Sequence, residues 1–286
     1  MFNKIVLFIL FFSLVACSKS EADAPNKGEI VIVADESFRN VTEALAERYV
    51  AHYPETKLNL KFQKEDYALM DLLKQNVRVI VMSRELTDRE KKLYKEMVDL
   101  PLQPAKFAGD AVVFVVAKNS PKNSISVQEI KDELQSGEKN VIFDGVNASN
   151  FNFVAQKLNL KPQNIKYSLI KGNKAIVEQI NKFPNSIGAI SLNTISNPHS
   201  QEAKNLREQI KILPVKDNNV AYEPNRQNIR YMKYPFTRIL YFLTNEGYFG
   251  LGNGFIRFSC MQKGQIVVSK EGLQPYNIYK REVMMR

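Results

Sequence analysis

Short apolar runs alternate with helix-like segments along most of the chain. Residues 29–34, 77–82 and 111–117 are apolar runs of strand length. Between them, apolar side chains recur at helical spacing, as at Val41, Leu45 and Tyr49. Because strands that alternate with helices are typical of βα units, this pattern predicts an α/β fold with mostly parallel sheets.

A second series of the same kind begins near Ser120. Strands are predicted at residues 141–143, 165–170 and 187–192, with helices at 148–158 and 174–183. Thr87 and Ser126 are predicted to cap helices, Thr87 with Glu90 in a capping box. The remaining segment, residues 230–286, is predicted to hold a strand at 238–243, a glycine-rich turn, a helix at 255–261 and a last strand at 265–269. Two βα lobes in series are therefore expected.

The first residues have the features of an export signal. Lys4 precedes an apolar run over residues 5–16, which is shorter than the about 20 residues that span a bilayer. The run ends in Leu14-Val-Ala-Cys17, which resembles a bacterial lipobox. We therefore expect residues 1–16 to be a lipoprotein signal peptide, Cys17 to be the lipid anchor, and residues 17–27 to be a tether. The alternative is an ordinary signal peptide that happens to contain a cysteine.

The amino-acid composition excludes some classes of protein and favours others. The chain has 286 residues, with 40 Lys and Arg against 30 Asp and Glu, an excess that favours anionic partners. With two cysteines a disulfide framework is excluded, and Cys260 is expected to be a buried bystander. His52 and His199 are far apart, so neither a metal site nor a cofactor is predicted. A nucleic-acid partner is not expected, because the basic residues are scattered and the chain is exported.

Several motifs occur in an order that resembles one known family. They are Asp35-Glu-Ser37-Phe38 after the first strand, Ser83-Arg84-Glu-Leu-Thr87 after the third, Gly109-Asp110, Gly172-Asn173, Tyr234-Pro-Phe-Thr-Arg238 and the segment from Gly264 to Pro275. Over most of the mature chain, the sequence resembles the PstS-like, phosphate-binding branch of the periplasmic substrate-binding proteins of ABC importers. The resemblance implies a type II periplasmic binding protein clamp, with lobe one at residues 28–116, lobe two at 117–215, and a return to lobe one at 216–286.

The resemblance also implies that an oxyanion binds between the lobes. Independently, the carboxyl ends of strands and the N-termini of the following helices are where anions bind in α/β sheets. The predicted ligand residues are Ser37, Phe38, Ser83, Arg84, Asp110, Asn147, Ser149 and Asn150. Some have structural alternatives: Ser37 could also cap a helix, Asp110 could cap the hinge before a strand, and Arg84 could pair with Glu85 or Asp88 at the surface. Ser149 is expected to act as both cap and donor.

The second lobe departs from the family pattern. Where the family has an Arg a few residues before Ser-Gly-Thr, this chain has Asp144-Gly-Val-Asn147-Ala-Ser149, so Arg84 would supply the guanidinium from lobe one. An inward-facing carboxylate would select phosphate, which keeps a proton near neutral pH, over sulfate, which has none. The candidate carboxylates are Asp35, Glu36, Glu65, Asp110 and Asp144.

The sequence therefore predicts an exported, lipid-anchored, monomeric binding protein without catalytic activity. It would capture phosphate or a similar oxyanion and deliver it to the permease subunits of an ABC importer. One alternative is a surface lipoprotein that keeps the clamp fold but acts in adhesion, as a scaffold or as a sensor. Another is a secreted hydrolase, supported only by the number of carboxylates.

Overall fold

A computed structural model describes residues 23–279 of the chain, so the predicted signal peptide and the predicted lipid anchor Cys17 lie outside the described residues. The first elements are β1 (Gly28–Ala34), a 3₁₀ helix (Glu36–Phe38), α1 (Arg39–His52), β2 (Thr56–Phe62), α2 (Glu65–Leu73), β3 (Val79–Met82), α3 (Asp88–Val98) and β4 (Ala105–Ala117). They build most of lobe one.

Lobe two follows, and the chain then returns to lobe one. Lobe two contains β5 (Ile125–Ser126), α4 (Val127–Gln135), β6 (Val141–Phe143), α5 (Ser149–Lys157), β7 (Ser168–Leu169), α6 (Asn173–Gln179), β8 (Ile187–Ser191), α7 (Gln201–Gln209), β9 (Ile210–Leu213), β10 (Val215–Asp217) and β11 (Val220–Tyr222), with 3₁₀ helices at Pro162–Asn164, Ile180–Lys182 and Leu192–Thr194. The return contains α8 (Arg226–Arg230), β12 (Thr237–Thr244), α9 (Leu251–Cys260), α10 (Gln262–Lys270) and β13 (Gln274–Pro275).

Among the described residues, ten strands from both lobes form one continuous sheet in the order β2-β1-β3-β12-β4-β8-β6-β7, with β9 and β13 also paired to β4. The strands β11, β10 and β5 form a separate three-stranded sheet in lobe two. In lobe one β1 runs parallel to β2 and β3, and in lobe two β6 runs parallel to β7 and β8. Between these parallel groups, β12 and β4 are antiparallel to their neighbours. The predicted two-lobed α/β fold is confirmed, and it has antiparallel strands where the lobes join.

Both lobes pack their cores against β4. Its residues Phe107 and Ala108 belong to the core of lobe one, together with side chains of α1, α9 and α10. From Ala111 to Val116 the strand belongs to the core of lobe two. A further cluster, from α2, α3 and the strands, covers the other face of the lobe-one sheet. The sheet of lobe one is therefore flanked by helices on both faces, as in α/β folds.

Two helix starts were predicted correctly from their capping residues. Thr87 caps α3 and Ser126 caps α4, each in a complete capping box in which a glutamate side chain accepts the N–H of the capping residue. Other local predictions were wrong. Residues 265–269 lie in α10 rather than in a strand, the glycine-rich turn is largely the start of α9, and the strand predicted at 165–170 is reduced to β7.

Residues 23–27, which were predicted as part of the tether, contact lobe one. The Asp23 carboxylate pairs with the Arg78 guanidinium, and the Tyr49 hydroxyl donates to the Pro25 carbonyl. Cys260 is only partly buried rather than fully buried, and burial raises the pKa of its thiol to about 11. A thiol with so high a pKa is a poor nucleophile at neutral pH. Among residues 23–279, no helix is long and apolar enough to cross a membrane.

Candidate functional site

The candidate site lies where turns from both lobes meet. In lobe one these turns follow β1, β2 and β3, and in lobe two they follow β6 and β8. In each case a strand ends and the chain enters a helix, which leaves main-chain N–H groups without a partner inside that helix. Side chains of these turns are buried, including Asp35, Ser37, Glu65, Ser149 and Asn150. The two lobes are therefore closed over this region.

The Asp35 carboxylate is the point at which the turns meet. Its Oδ1 accepts the N–H of Ser37 at 3.0 Å, and its Oδ2 accepts the N–H of Glu65 at 3.0 Å. The same Oδ2 accepts the N–H of Ser149, in lobe two, at 3.1 Å. Glu65 and Ser149 are the first residues of α2 and α5. One carboxylate of lobe one thus receives main-chain donors from three segments and both lobes.

Ser37 and Phe38 form the turn after β1. Asp35 is the residue that caps the 3₁₀ helix, so the alternative interpretation of Ser37 as a cap was wrong. The Ser37 hydroxyl accepts a hydrogen bond from the Asn173 amide at 3.1 Å. The Phe38 N–H donates to the Asp35 carbonyl at 2.9 Å, and the Phe38 ring lies 4.8 Å from the Arg238 guanidinium carbon. Both predicted ligand residues are at the site, with their polar groups engaged by protein partners.

Ser83 and Arg84 form the turn after β3. The Ser83 N–H and hydroxyl both donate to Glu65 Oε1, at 2.7 and 2.8 Å. The Arg84 guanidinium binds both oxygens of Glu90, at 2.7 and 2.8 Å, and Asp66 Oδ1 at 2.8 Å, while its Nε lies 3.4 Å from Glu65 Oε2. Arg84 thus forms ion pairs, as the alternative interpretation expected. Its partners, however, are not the Glu85 or Asp88 side chains.

Asp110 is paired with Arg238 in the interior. It lies inside β4 and not before a strand, directly opposite Arg238 of β12, so the alternative interpretation of Asp110 as a cap of the hinge before a strand was wrong. Its Oδ2 accepts from Arg238 Nε at 2.8 Å and from the Ser191 hydroxyl at 2.9 Å, and it forms an ion pair with Arg238 Nη2, which lies 2.8 Å away. Arg238 Nη2 also reaches Asn150 Oδ1 at 2.9 Å. This buried pair therefore links the central strands to α5 of lobe two.

The loop from Asp144 to Ser149 contributes several of the contacts of lobe two with lobe one. Lys64 Nζ lies 3.1 Å from Asp144 Oδ2, and the Asn147 carbonyl accepts the Asp66 N–H at 3.2 Å. Asn147 has φ 68°, in the left-handed region that asparagine tolerates. Ala148 occupies the cap position of α5, so the prediction that Ser149 caps the helix was wrong. These contacts join α2 of lobe one to the start of α5.

Several buried polar atoms of the site have no hydrogen-bond partner. Within the described part of the chain, these atoms are Glu65 Oε2, Asp144 Oδ1, Ser149 Oγ, Asn193 Oδ1 and Arg238 Nη1. Both donors and acceptors are among them. Because a buried polar atom without a partner is costly, such a cluster is typical of a place where a small polar ligand binds.

Two carboxyl groups of the site have raised pKa values. Burial, with the negative charge of Asp35, raises the pKa of Glu65 to about 7 against the opposing effect of Arg84. Burial and the same Asp35 charge raise the pKa of Asp144 to about 6, against the opposing effect of Lys64. Part of the Glu65 and Asp144 population therefore holds a proton near neutral pH.

The raised pKa of Glu65 predicts a pH dependence of stability. The folded state binds this proton more tightly than the unfolded state, whose pKa is near 4.5, so stability falls as pH rises from about 4.5 to about 7. Replacing Glu65 with glutamine, which resembles the protonated acid, should remove a pH-dependent loss of about 3 kcal/mol. Urea unfolding at about pH 5 and about pH 8 measures the difference.

The exposed Glu47 provides the control for this experiment. Glu47→Gln should leave the pH dependence of the unfolding free energy as in the unchanged protein. If Glu65→Gln kept the full pH dependence, the assignment of the raised pKa to Glu65 would be wrong.

Sequence reasoning missed several residues of the site. Asp35 was considered only as one of five candidate carboxylates, and Arg238, Asn173, Asn193 and Lys64 were not predicted as site residues. The position of Asp35 directly after β1 was a usable signal, since this is where α/β proteins bind ligands. Residues 23–279 contain no group of three or more acidic, histidine or cysteine side chains that could hold a metal ion.

Comparisons with known proteins identify the fold. A protein from Clostridium perfringens, assigned as a phosphate ABC transporter substrate-binding protein and solved with bound phosphate, superposes with a TM-score of 0.72 at 18% identity, covering 87% of this chain and 100% of that chain. An ABC-type phosphate transport receptor from Vibrio cholerae gives 0.66 at 17% identity, covering 87% and 100%. An OxyR variant from Corynebacterium glutamicum gives 0.57 at 9% identity, covering 94% and 74%.

At such low sequence identities the superpositions establish a common fold, but they do not identify the ligand of this chain. None of the curated proteins compared with the chain matched it. A family model described as the PBP superfamily domain matches residues 19–262, which is most of the chain. The chain therefore belongs to the family described as the PBP superfamily domain.

Proposed function

We propose that the protein is an extracytoplasmic, lipid-anchored solute-binding protein that captures phosphate or a similar oxyanion between its lobes and delivers it to an ABC permease. The observation that carries this proposal is the meeting of main-chain N–H groups from the turn after β1 and from the first residues of α2 and α5 at one point. Helix N-termini that converge in this way are a typical anion-binding arrangement.

The side chains of the site suit a protonated oxyanion. Arg238 Nη1 and Ser149 Oγ are buried donors without a partner, while Glu65 Oε2 and Asp144 Oδ1 are buried acceptors without one. Phosphate near neutral pH can both accept and donate hydrogen bonds, whereas sulfate can only accept. We therefore propose Arg238 as the guanidinium of the site beside the eight residues predicted from the sequence.

Export and anchoring rest on the sequence. The apolar run that ends at Cys17 supports a lipid anchor outside the cytoplasm, and the structural likeness to proteins named as components of phosphate ABC transport supports a permease partner. We propose a monomer that performs no chemical step on its ligand.

Titration calorimetry on the detergent-solubilised, lipid-anchored protein tests ligand capture. Phosphate is expected to give a saturable heat, and sulfate to bind about 10- to 100-fold more weakly, because sulfate brings no proton to the carboxylate oxygens that lack a hydrogen-bond partner. The absence of a saturable heat with phosphate at millimolar concentration would contradict the proposed function.

A second candidate is a surface lipoprotein with the same fold that acts in adhesion, as a scaffold or as a sensor. It is favoured by the internal partners of the site, since Asp35 already accepts the converging N–H groups and Arg84 already pairs with carboxylates. This candidate predicts no heat with either anion, and a function that persists after Arg84→Ala.

A further inference from the structure

The Asp35 carboxylate has the contacts expected of a bound oxyanion. It is fully buried, and its two oxygens accept three main-chain N–H groups at 3.0, 3.0 and 3.1 Å. Two of these donors belong to the first residues of α2 and α5, helices of nine residues each. A free anion at the helix N-termini would accept the same N–H groups. Asp35 and a free anion therefore compete for one set of donors.

The contact between Asp35 and Ser149 also joins the two lobes. Asp35 follows β1 in lobe one, and Ser149 begins α5 in lobe two, 114 residues later in the chain. In a clamp that closes around a ligand, the ligand supplies contacts to both lobes at once. Here a side chain of the protein supplies them, so the closed arrangement needs no free anion at this point.

The charge around Asp35 leaves little room for a second anion beside it. The carboxyl groups of Glu65 and Asp144 face the same region, and the negative charge of Asp35 contributes to the raised pKa of both. Lys64 and Arg84 are already paired with carboxylates, as is Arg238 with Asp110. An additional anion would add negative charge to a buried region in which these three cations are already neutralised by carboxylates of the described residues, which is unfavourable.

A carboxylate nevertheless replaces a tetrahedral oxyanion only in part. It has two oxygens, whereas phosphate has four, and donors near it remain unused. Ser149, whose N–H binds Asp35, has a buried hydroxyl without a partner, and Arg238 has an unpartnered Nη1. Asp35 therefore closes the site but leaves these hydrogen-bond donors unused. A larger oxyanion would bind them as well, which favours displacement of the carboxylate.

We propose that Asp35 is a tethered internal ligand: its carboxylate occupies the anion position and holds the clamp closed, and a free oxyanion of the phosphate class binds only by displacing it. The identity of that anion rests on the proposed function, whereas the role of Asp35 in closure does not. Asp35 thereby sets the affinity of the site and uncouples closure of the lobes from ligand binding.

The test compares the unchanged protein with Asp35→Ala in buffer free of phosphate and sulfate. Small-angle X-ray scattering reports closure, and calorimetry with inorganic phosphate reports binding. The unchanged protein should be compact without anion and show no further compaction with phosphate. Asp35→Ala should have a larger radius of gyration without anion, become compact with phosphate, and bind it about 10- to 100-fold more tightly, the scale of a charge-assisted hydrogen bond.

Glu246→Ala is the matched control. Glu246 is also a buried carboxylate at a helix start, where it accepts the N–H groups of Gly252 and Asn253 at 3.1 and 2.8 Å, but its partners lie within lobe one. This variant should lose stability while its anion-free compactness and phosphate affinity stay as in the unchanged protein. Opening of the clamp by Glu246→Ala as well would overturn a specific role for Asp35.

Two further measurements cover the case in which Asp35→Ala does not fold. Asp35→Asn keeps the side-chain shape without the charge. Its radius of gyration without anion and its phosphate affinity should change in the same direction as in Asp35→Ala, but by less. In the unchanged protein without anion, hydrogen exchange at the Glu65 and Ser149 amides should be slow, because Asp35 accepts both. Rapid exchange that phosphate slows would overturn the proposal.

The outcomes separate this proposal from the proposed function. If Asp35→Ala remains as compact as the unchanged protein without anion, the internal-ligand proposal fails, whatever phosphate does. If Asp35→Ala opens but phosphate neither binds nor closes it, the internal-ligand role is supported and phosphate capture fails. If the unchanged protein and Asp35→Ala bound phosphate with equal affinity, Asp35 would not compete with phosphate, although the proposed capture of phosphate would still hold.

Discussion

Replacement of Arg238 with methionine is expected to lower the free energy of unfolding by about 3–5 kcal/mol, among the largest effects of any single change in this protein. Arg238 and Asp110 are both completely buried, and Arg238 supplies one hydrogen bond from Nε and a second close ion-pair contact from Nη2 to the Asp110 carboxylate. Without the guanidinium, Asp110 keeps only the Ser191 hydroxyl and the Asn193 N–H as donors. An uncompensated charge in the interior accounts for the cost. Urea unfolding at neutral pH measures it.

Two controls test whether the cost comes from the unpaired charge. Lys57→Met breaks the exposed pair with Glu29, whose side chains are 67% and 56% exposed, and should change stability by less than about 1 kcal/mol. The double replacement of Asp110 by leucine and Arg238 by methionine should recover most of the loss, because no isolated charge remains. A double variant less stable than Arg238→Met alone would contradict this explanation.

Replacement of Arg84 with methionine is expected to cost about 3 kcal/mol above neutral pH and clearly less at about pH 5. Arg84 pairs with Glu65, Asp66 and Glu90, and Glu65 is the fully buried member of this group. The pKa of Glu65 is about 7, so at low pH Glu65 is protonated and loses little when the guanidinium is removed. At higher pH its charge would be left without its nearest cation. Urea unfolding at the two pH values measures both costs.

Arg39 provides the comparison for Arg84. It also binds two carboxylates, Glu36 and Glu43, but its side chain is 34% exposed. Solvent screens these pairs, so Arg39→Met should cost less than about 1 kcal/mol at either pH. If the cost of Arg84→Met did not depend on pH, Glu65 could not be the partner that matters.

The fold was largely predictable from local sequence, because many of its strands are apolar runs and some of its helix starts are marked by capping residues. The apolar run 111–117 forms the second half of β4 and is buried along its whole length, as its uninterrupted apolar sequence predicted. The run after Gly264 was misleading, since its β-branched residues favour a strand by propensity. In the structure it forms α10, with Val268 buried and Ile266 exposed. A Cβ on Gly264 would lie only 2.4 Å from the Phe258 carbonyl oxygen, so close helix packing overrides the propensity.

The site was predictable in position but not in its contacts. Ser37, Ser83 and Ser149 lie in the turns where strands end, which a pattern of strands and helices reveals. Which donors and acceptors pair depends on residues far apart in sequence. The bond from Ser149 to Asp35 joins residues 114 positions apart, and the bond from Arg238 to Asp110 joins residues 128 positions apart. The sequence alone carries no signal that would have chosen these partners over nearer ones.

The strand β4 has a consequence for how the protein folds. Its first half pairs with β12 and β13 of lobe one, and its second half pairs with β8 and β9 of lobe two. Neither lobe can complete its sheet without this strand, and each core is built partly on its side chains. The two lobes should therefore melt together in a single cooperative transition, and neither should persist as a separately folded fragment.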